Sequence, residues 1–284
     1  MLGVFNPFPA GVAGVLLVVR NNRARNVIVG ASALVIGLAS VWLVVSYLGA
    51  PWITYDFYSP VVDYVCMAVS VLIAAAILYF GIKYKNLWAC VLAAVQVVGS
   101  LCSSRFRHDV LVTEGLYLDS LSLLMAFIIG VIGSGICVYA LGYMEDFQAH
   151  EPEGAKDRRP TFFALMFVFL AAMFLIVFSN NMLWLFTGWE ITTVCSFLLI
   201  GFTRTEEAIK NAFRQIIMNL LGGIAFLAAL YVMAIQFNTL SFLEFLQIGI
   251  ANPGMVVLPV TALAFAGLTK AAQMPFHTWL LGAM

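Results

Sequence analysis

Long apolar runs with almost no charge dominate this sequence. Of its 284 residues, 63% are hydrophobic and 10% charged, whereas soluble domains carry about 25% charged residues. Runs of this length suit helices that cross a bilayer. Lipid leaves backbone groups no water to bond, so a spanning chain forms helices or a closed barrel, and unbroken runs exclude alternating barrel strands. The sequence therefore predicts an all-α polytopic membrane protein. It argues against a soluble enzyme, a nucleic-acid-binding protein and a disulfide scaffold.

The runs predict about nine transmembrane helices. The first is short, has no basic segment before it and no small-residue cleavage site after it, so we expect a retained helix and not a signal peptide. The predicted spans are Phe5–Val19, Val27–Leu48, Pro60–Ile82, Leu87–Cys102, Leu118–Tyr143, Phe162–Phe178, Met182–Phe202, Phe213–Phe237 and Met255–Met274.

Basic residues in the connecting loops predict the orientation. Lys and Arg stay on the cytoplasmic side far more often than not, and here most of them fall on alternate loops, with Arg105 and Arg107 on the opposite side. The alternation predicts an N-terminus outside the cell; chance alternation is the alternative. The residues on the predicted cytoplasmic side are Arg20, Arg23, Arg25, Lys83, Lys85, Lys156, Arg158, Arg159, Arg204, Lys210 and Arg214.

One acidic residue lies deep in an apolar run. Glu190 is close to the middle of the span Met182–Phe202, where a carboxylate costs roughly 2.5 to 3.5 kcal/mol even on lenient insertion scales. It must therefore face the protein interior. Thr187 and Thr193, three residues to either side, are predicted to place hydroxyls on the same helix face. A structural carboxylate that joins helices is the alternative.

One basic residue is equally misplaced. Lys270 lies deep in the last run, and Gln273 and His277 follow along the same predicted helix face. Pro275 lacks an N–H and clashes with the preceding turn, so the last helix should break near it, and such a break is tolerated only inside protein or beside a water-filled cavity. The alternatives are a lysine that extends to the interface and an ordinary surface histidine.

The run between these two charges carries further polar residues. Arg214, Gln215 and Asn219 fall in its first predicted turns, and Gln215 and Asn219 share a face. Gly222 and Gly223 permit close helix approach. Arg214 either stabilises the ionised form of Glu190 or holds a lipid phosphate, and the sequence favours neither.

A buried acid, a buried amine beside a helix break and a polar helix between them are typical of part of a proton pathway. The five cysteines are isolated, without metal-ligand spacing. No nucleophile constellation, phosphate loop or cofactor motif is visible. We therefore expect no catalytic centre, redox centre or metal site in this chain.

Three segments carry a family resemblance. FTGWEITTVCSFLLIGF (residues 186–202) and GLTKAAQMPFHTWLLGAM (residues 267–284) closely resemble signature stretches of the antiporter-like subunits of respiratory complex I, Mrp-type cation/proton antiporters and membrane-bound hydrogenases. LDSLSLLMAF (residues 118–127) is similar to the helix that precedes them in that family. The resemblance covers roughly Leu116 to the end.

The resemblance implies two inverted five-helix repeats, each with a broken helix and part of a proton channel. It also implies that Glu190 is the key buried glutamate, that Lys270 is the broken-helix lysine, and that Arg214 occupies a position usually held by lysine. Leu281-Gly282 stands where many members have Pro-Asp, and four helices rather than two precede Leu118. Both departures resemble the large membrane subunit of Ech-type energy-converting hydrogenases.

These observations predict two regions. Residues 1–115 form a four-helix membrane segment, and residues 116–284 begin the antiporter-like domain with an incomplete first repeat. We expect either a split gene or one portion of a longer product, so that other membrane subunits complete the ion path.

The expected function is proton or sodium translocation in the cell membrane, driven by nickel–iron and iron–sulfur centres in peripheral partner subunits. His277 would act as a relay group, with Thr187, Thr193, Gln215, Asn219 and Gln273 in support. A Mrp-type antiporter without a redox partner is the first alternative, and a purely architectural anchor is the second.

Overall fold

The computed structural model describes Phe5 and residues 7–57, 59–103, 110, 112–151 and 157–283. Helices account for 79% of the chain, which confirms the all-α prediction. The two strands have three residues each and pair with one another. The elements in chain order are α1 (Pro7–Val18), α2 (Asn22–Tyr47), β1 (Ile53–Tyr55), α3 (Pro60–Lys83), α4 (Leu87–Ser103), β2 (Leu116–Leu118), α5 (Ser120–Ala149), α6 (Arg159–Phe178), α7 (Met182–Ile200), α8 (Glu206–Gln236), α9 (Phe242–Ala251), α10 (Val257–Lys270) and α11 (Thr278–Ala283).

Six of the described helices are long and apolar enough to cross a membrane, namely α2, α3, α5, α6, α7 and α8. Helices α1, α4 and α10 were predicted as spans but have 12, 17 and 14 residues, so the count of nine is not confirmed. The short helix α9 lies between two of the predicted spans, Phe213–Phe237 and Met255–Met274. The external N-terminus stays a prediction. Three of the basic residues on which it rests, Arg105, Arg107 and Lys156, lie outside the described residues.

The chain forms two compact units, each assembled from two separate stretches of sequence. Unit 1 comprises residues 1–54 and 117–178, and unit 2 comprises residues 55–116 and 179–284. The predicted division between residues 115 and 116 stays a prediction.

In unit 1, α1 packs on α6 and α2 packs on α5. The ring of Phe5 lies 5.0 Å from that of Phe174, centroid to centroid. Helix α5 contains a π-helical segment, Ile128–Gly133. A Cβ added at Gly130 would collide with the Ser40 side chain on α2. Close contact between these two helices therefore depends on glycine at this position.

In unit 2, helix α8 is central and contacts α4, α7, α10 and α11. Helices α3 and α4 form a hairpin whose apolar face packs on α7 and α8. Two neighbouring glycines of α8 allow this packing. An added Cβ at Gly222 would collide with Thr269 of α10, and one at Gly223 would lie 2.8 Å from Gln96 Oε1 of α4.

Polar caps set the beginnings of the two long helices of unit 2. Asn181 accepts the N–H of Leu183 at 2.9 Å and begins α7. Thr205 accepts the N–H of Ala208 at 3.2 Å and begins α8, with Glu206 in its first turn. Helix α8 therefore starts before the predicted Phe213, because the cap and the charged first turn lie outside the apolar run.

The predicted break of the last helix is confirmed. Helix α10 ends at Lys270, α11 begins at Thr278, and no residue from Ala271 to His277 is helical. The helix thus ends before Pro275, in keeping with the clash of a proline ring with the turn that precedes it. Ala272, with φ of 51°, has the left-handed backbone conformation of a helix end.

Candidate functional site

Helix α7 brings Glu190 into the interior of unit 2. The residue is 4% exposed. The capped start of α7 is further fixed by the Trp184 indole, whose Nε1 donates to Asp63 Oδ1 of α3 at 2.6 Å. The Glu190 carboxyl therefore faces protein, as its position in the apolar run predicts.

Two neutral side chains from the α3–α4 hairpin bind the Glu190 carboxylate. Ser70 Oγ of α3 donates to Oε2, and Gln96 Nε2 of α4 donates to Oε1 at 2.8 Å. Each carboxylate oxygen thus has one donor, which offsets part of the loss of hydration. Within the described part of the chain, no lysine, arginine or histidine nitrogen lies within 4.0 Å of this carboxylate.

Lys270, the last residue of α10, reaches back to α7. Its Nζ donates to Thr193 Oγ1 at 2.6 Å and to the backbone oxygen of Trp189 at 3.2 Å. The amine also lies 5.2 Å from the centroid of the Trp189 ring, within the range of a cation–π interaction. These contacts favour an inward-facing lysine over one that extends to the membrane interface.

The structure places the Lys270 amine against α7, the helix that carries Glu190, without an ion pair between the two groups. Trp189 and Glu190 are successive residues, so their side chains leave the helix about 100° apart. The acid points to the hairpin, while the amine binds Trp189 and Thr193. Of the two predicted threonines, Thr193 contacts Lys270, and Thr187 donates to Leu183 O of its own helix.

The polar residues of α8 extend the site from the lysine. Gln215 Nε2 donates to Thr193 O at 3.3 Å, and Asn219 Nδ2 donates to Gln215 O at 3.0 Å. Both residues are buried. Gln215 Oε1, Asn219 Oδ1 and Trp189 Nε1 are buried without a hydrogen-bond partner in the described residues. Buried polar atoms of this kind are positions at which proteins bind internal water.

The remaining predicted residues take no part in these contacts. His277 is partly buried in the segment after the break, and its Nδ1 has no partner among the described residues. Gln273 and Pro275 are exposed there. Arg214 is exposed on α8 and lines a surface pocket of about 560 Å³. Of the two roles left open for Arg214, this position favours the surface role.

Sequence reasoning missed Ser70, Gln96 and Trp189. Gln96 carried a usable signal, because an amide inside the apolar run Leu87–Cys102 must also find a partner. Ser70 carried little signal, since serine hydroxyls commonly bond their own helix. Among the described residues, no cluster of three or more His, Cys, Asp or Glu side chains could hold a metal ion.

Comparison with known families places most of this site inside matched sequence. Residues 179–284 match the family described as NADH:quinone oxidoreductase/Mrp antiporter, TM. Residues 108–153 match the family described as NADH-Ubiquinone oxidoreductase (complex I), chain 5 N-terminus. Glu190, Lys270, Gln215 and Asn219 all lie in the first match, whereas Ser70 and Gln96 lie in neither.

Individual relatives agree with these matches. The Na(+)/H(+) antiporter subunit A1 of Staphylococcus aureus strain JH9 is 32% identical over 172 residues, which is 60% of this chain and 20% of the relative. The same subunit of strain Newman gives the same values. The chain therefore spans about one fifth of the length of these curated relatives.

Two solved structures are similar in fold. A chain of the membrane-bound sulfane sulfur reductase, an archaeal respiratory membrane complex, has a TM-score of 0.65 and 15% identity, over 99% of this chain and 47% of that one. A chain of the Mrp complex from Dietzia sp. DQ12-45-1b has a TM-score of 0.52 and 25% identity, over 78% of this chain and 25% of that one.

Proposed function

The chain belongs to the family of antiporter-like membrane subunits, and from this premise we propose that it translocates protons or sodium ions as one subunit of a larger membrane complex. A single observation carries the proposal: Glu190 and Lys270 lie inside one helical unit and are held there by neutral partners. Buried ionisable groups without counter-ions are typical of proton carriers in membrane proteins.

In this proposal Glu190 accepts and releases the proton, and Lys270 is its switchable partner. Glu190 directly follows Trp189, whose backbone oxygen binds the Lys270 amine, so the charge of one group changes the electrostatic potential at the other through a medium of low dielectric constant. Movement of a proton at one group then alters the proton affinity of the other. This coupling needs no direct contact between carboxyl and amine.

Thr193, Gln215 and Asn219 would extend the path away from Lys270. The Thr193 hydroxyl binds the Lys270 amine, and the Thr193 backbone oxygen binds the Gln215 amide. The unpartnered oxygens of Gln215 and Asn219 suit bound water, which relays protons between side chains too far apart for direct transfer. His277, in the non-helical segment after Lys270, would continue the relay. Thr187, Gln273 and Arg214 would act at the edges of this path.

For the complex itself, we propose an energy-converting, Ech-type membrane-bound hydrogenase. Two sequence features support this choice, namely Leu281-Gly282 in the second signature and the additional helices ahead of Leu118. Nickel–iron and iron–sulfur centres would then reside in peripheral partner subunits, further membrane subunits would complete the ion path, and the assembly would lie in the cell membrane. This chain would carry no redox centre.

A Mrp-type antiporter is the second candidate. The observation that favours it is the 32% identity to the Staphylococcus aureus protein named Na(+)/H(+) antiporter subunit A1. Purification of the intact complex from native membranes separates the two candidates. A nickel–iron protein that co-purifies in stoichiometric amount supports the hydrogenase, and a complex of membrane subunits alone supports the antiporter.

The substitution Glu190→Gln tests the translocation role in either complex. It keeps the shape of the side chain and removes the titratable group, so ion transport by membrane vesicles should fall at least about 100-fold. This is the lower end of the rate contribution that a proton-transfer group usually makes. Dye-linked hydrogen oxidation, if the complex is a hydrogenase, should be largely retained.

Ser196→Ala on the same helix is the matched control. The Ser196 hydroxyl donates to Thr192 O of α7 at 2.8 Å and contacts neither charged group, so transport should stay near that of the parent. Full transport in Glu190→Gln would point to an architectural subunit. Equal loss of transport and redox activity would point to a structural role for Glu190.

A further inference from the structure

We propose that Ser70 and Gln96 are positioning residues that hold the Glu190 carboxyl in both its ionised and its protonated form. The inference rests on the proposed function, in which Glu190 takes up and releases a proton. It gives the α3–α4 hairpin, which lies outside both matched families, a defined part in ion translocation.

The hairpin surrounds the carboxyl from two helices. Ser70 on α3 is 8% exposed and Gln96 on α4 is 6% exposed, and each bonds a different oxygen of Glu190. With both oxygens bound, rotation of the carboxyl about its terminal torsion would break two hydrogen bonds at once. The orientation of Glu190 is therefore set by the hairpin and not by its own helix.

Independent contacts fix the hairpin against α7 and α8. At one end of α3, Asp63 accepts from Trp184 of α7 at 2.6 Å. Near the end of α4, the Tyr231 hydroxyl of α8 donates to Gly99 O at 2.8 Å. Gly223 of α8 leaves room for the Gln96 amide, since an added Cβ would lie 2.8 Å from Oε1 and 3.1 Å from Nε2. Ser70 and Gln96 thus approach Glu190 from a hairpin that further contacts hold against α7 and α8.

Both partners can serve either protonation state. The ionised carboxylate accepts the hydrogen of Ser70 Oγ and one hydrogen of Gln96 Nε2. Once a proton binds Oε2, the acid donates it to Ser70 Oγ, and the serine hydrogen turns to the backbone carbonyl one turn earlier on α3. If the proton binds Glu190 Oε1 instead, rotation of the Gln96 amide turns Gln96 Oε1 toward it as the acceptor. This amide oxygen is free to do so, because it has no hydrogen-bond partner in the described residues.

This arrangement differs from an ion pair in its consequence. An arginine or lysine at the same distance is a donor in every state and would stabilise the carboxylate alone. A hydroxyl and an amide stabilise the anion with donors and the acid with acceptors. The proton can therefore be bound and released while the carboxyl stays in place.

The test compares Ser70→Ala and Gln96→Leu with the parent in the native membrane assembly. Each variant removes one hydrogen bond to a charged group, so ion transport should fall about tenfold. Ser70→Thr keeps the hydroxyl and should restore most of the transport. Gly223→Ala leaves Gln96 intact but displaces its amide, and should reduce transport by a smaller factor. Ser196→Ala again serves as the control.

Infrared difference spectroscopy measures the Glu190 carboxyl group directly. A purely structural role of Ser70 and Gln96 would leave the frequency of its carbonyl band unchanged. The carbonyl band of protonated Glu190 is assigned by its loss in Glu190→Gln. Removal of a hydrogen bond to the carboxyl group raises the frequency of its C=O stretch. The band should therefore shift upward in Ser70→Ala and Gln96→Leu and stay in place in Ser70→Thr. If Gln96→Leu does not assemble, Gly223→Ala replaces it in this comparison.

The outcomes separate the inference from the proposed function. A Glu190 band at the parent frequency in Ser70→Ala, in Gln96→Leu or its replacement, and in the control overturns the positioning role and leaves the carrier role intact. Absence of any Glu190 band, together with full transport in Glu190→Gln, overturns the proposed function and the positioning role with it. An upward shift with reduced transport supports both.

Discussion

The two units of the molecule treat buried charge in different ways. In unit 1, Arg25 of α2 is 1% exposed, and its Nη1 lies 3.5 Å from Asp157 Oδ2. Arg159 also binds Asp157, with its Nε 2.8 Å from Oδ1. In unit 2, Glu190 and Lys270 are bound by hydroxyl, amide and carbonyl groups and by an indole ring. One unit thus uses opposite charges, and the other uses neutral partners.

The difference teaches which buried charges serve structure and which serve function. An ion pair stabilises both partners in their charged forms, and removal of one partner leaves the other unbalanced. Neutral partners offset desolvation without fixing the charge. We therefore expect substitutions in unit 1 to act on stability and those in unit 2 to act on transport.

The largest effect is expected for Lys270→Met. The substitution keeps the length of the side chain and removes the amine, so ion transport should fall at least about 100-fold. Thermal unfolding of the assembly should change little, because Lys270 has no counter-ion among the described residues that its removal would leave unbalanced. Transport by vesicles and scanning fluorimetry measure the two quantities.

Lys210→Met is the matched control for Lys270→Met. The Lys210 side chain is 73% exposed and pairs with Glu206 on the surface of α8, so its removal should leave both transport and unfolding unchanged. Loss of stability in Lys270→Met in proportion to its loss of transport would contradict the division between the units.

Arg25→Met should give the opposite pattern. It removes a buried cation from a pair whose acid is 37% exposed, so the free energy of unfolding should fall by about 1 to 2 kcal/mol. Transport per assembled complex should stay within about twofold of the parent, because Arg25 belongs to the ion pair of unit 1 and not to the proposed path. A twofold change in rate corresponds to less than about 0.5 kcal/mol. Arg23→Met, at an exposed position of the same helix, is the control. Normal stability with lost transport would place Arg25 on the ion path.

Thr193→Val should have an intermediate effect on transport. The valine keeps the branched shape and removes the hydroxyl that binds Lys270, so transport should fall about tenfold. Thr193→Ser should retain activity. Thr192→Val is closely matched, because both threonine hydroxyls are buried and both donate to Trp189 O at 2.9 Å. Equal effects of the two valine substitutions would show that the hydroxyl matters for α7 and not for the lysine.

The sequence alone located both inward-facing charges of unit 2 and the helix break. A charged residue inside an apolar run has a high free energy of membrane insertion, and a single residue is enough to show it. Glu190 and Lys270 are both of this kind. Pro275 likewise predicts the break through its own covalent structure. These features depend on local chemistry, so no knowledge of the packing was needed.

Partner identity could not be predicted in the same way. Ser70 and Gln96 reach Glu190 only because the hairpin packs against α7 and α8, and neither hydroxyl nor amide carries a charge that would mark it. The prediction for α8 began at Phe213, because the apolar run begins there, although Thr205 and Glu206 form a capped first turn outside it. The earlier start puts Arg214 in the third turn rather than the first, on the exposed surface.

The smallest expected effect is the pH dependence of the ion pair in unit 1. Burial raises the pKa of Asp157, but hydrogen bonds from the Arg159 side chain and backbone N–H, together with the charges of Arg159 and Arg25, outweigh it and hold the pKa below its usual value. A lowered folded-state pKa contributes stability above the unfolded-state pKa, and this is lost as pH falls through the folded-state value. Between pH 7 and about pH 3 the parent should therefore lose more stability than Asp157→Asn, by less than about 1 kcal/mol because the acid is partly exposed. Thermal unfolding of both proteins across this range measures the difference, and parallel curves would mean that the interactions of Asp157 with Arg159 and Arg25 contribute nothing to the stability of unit 1.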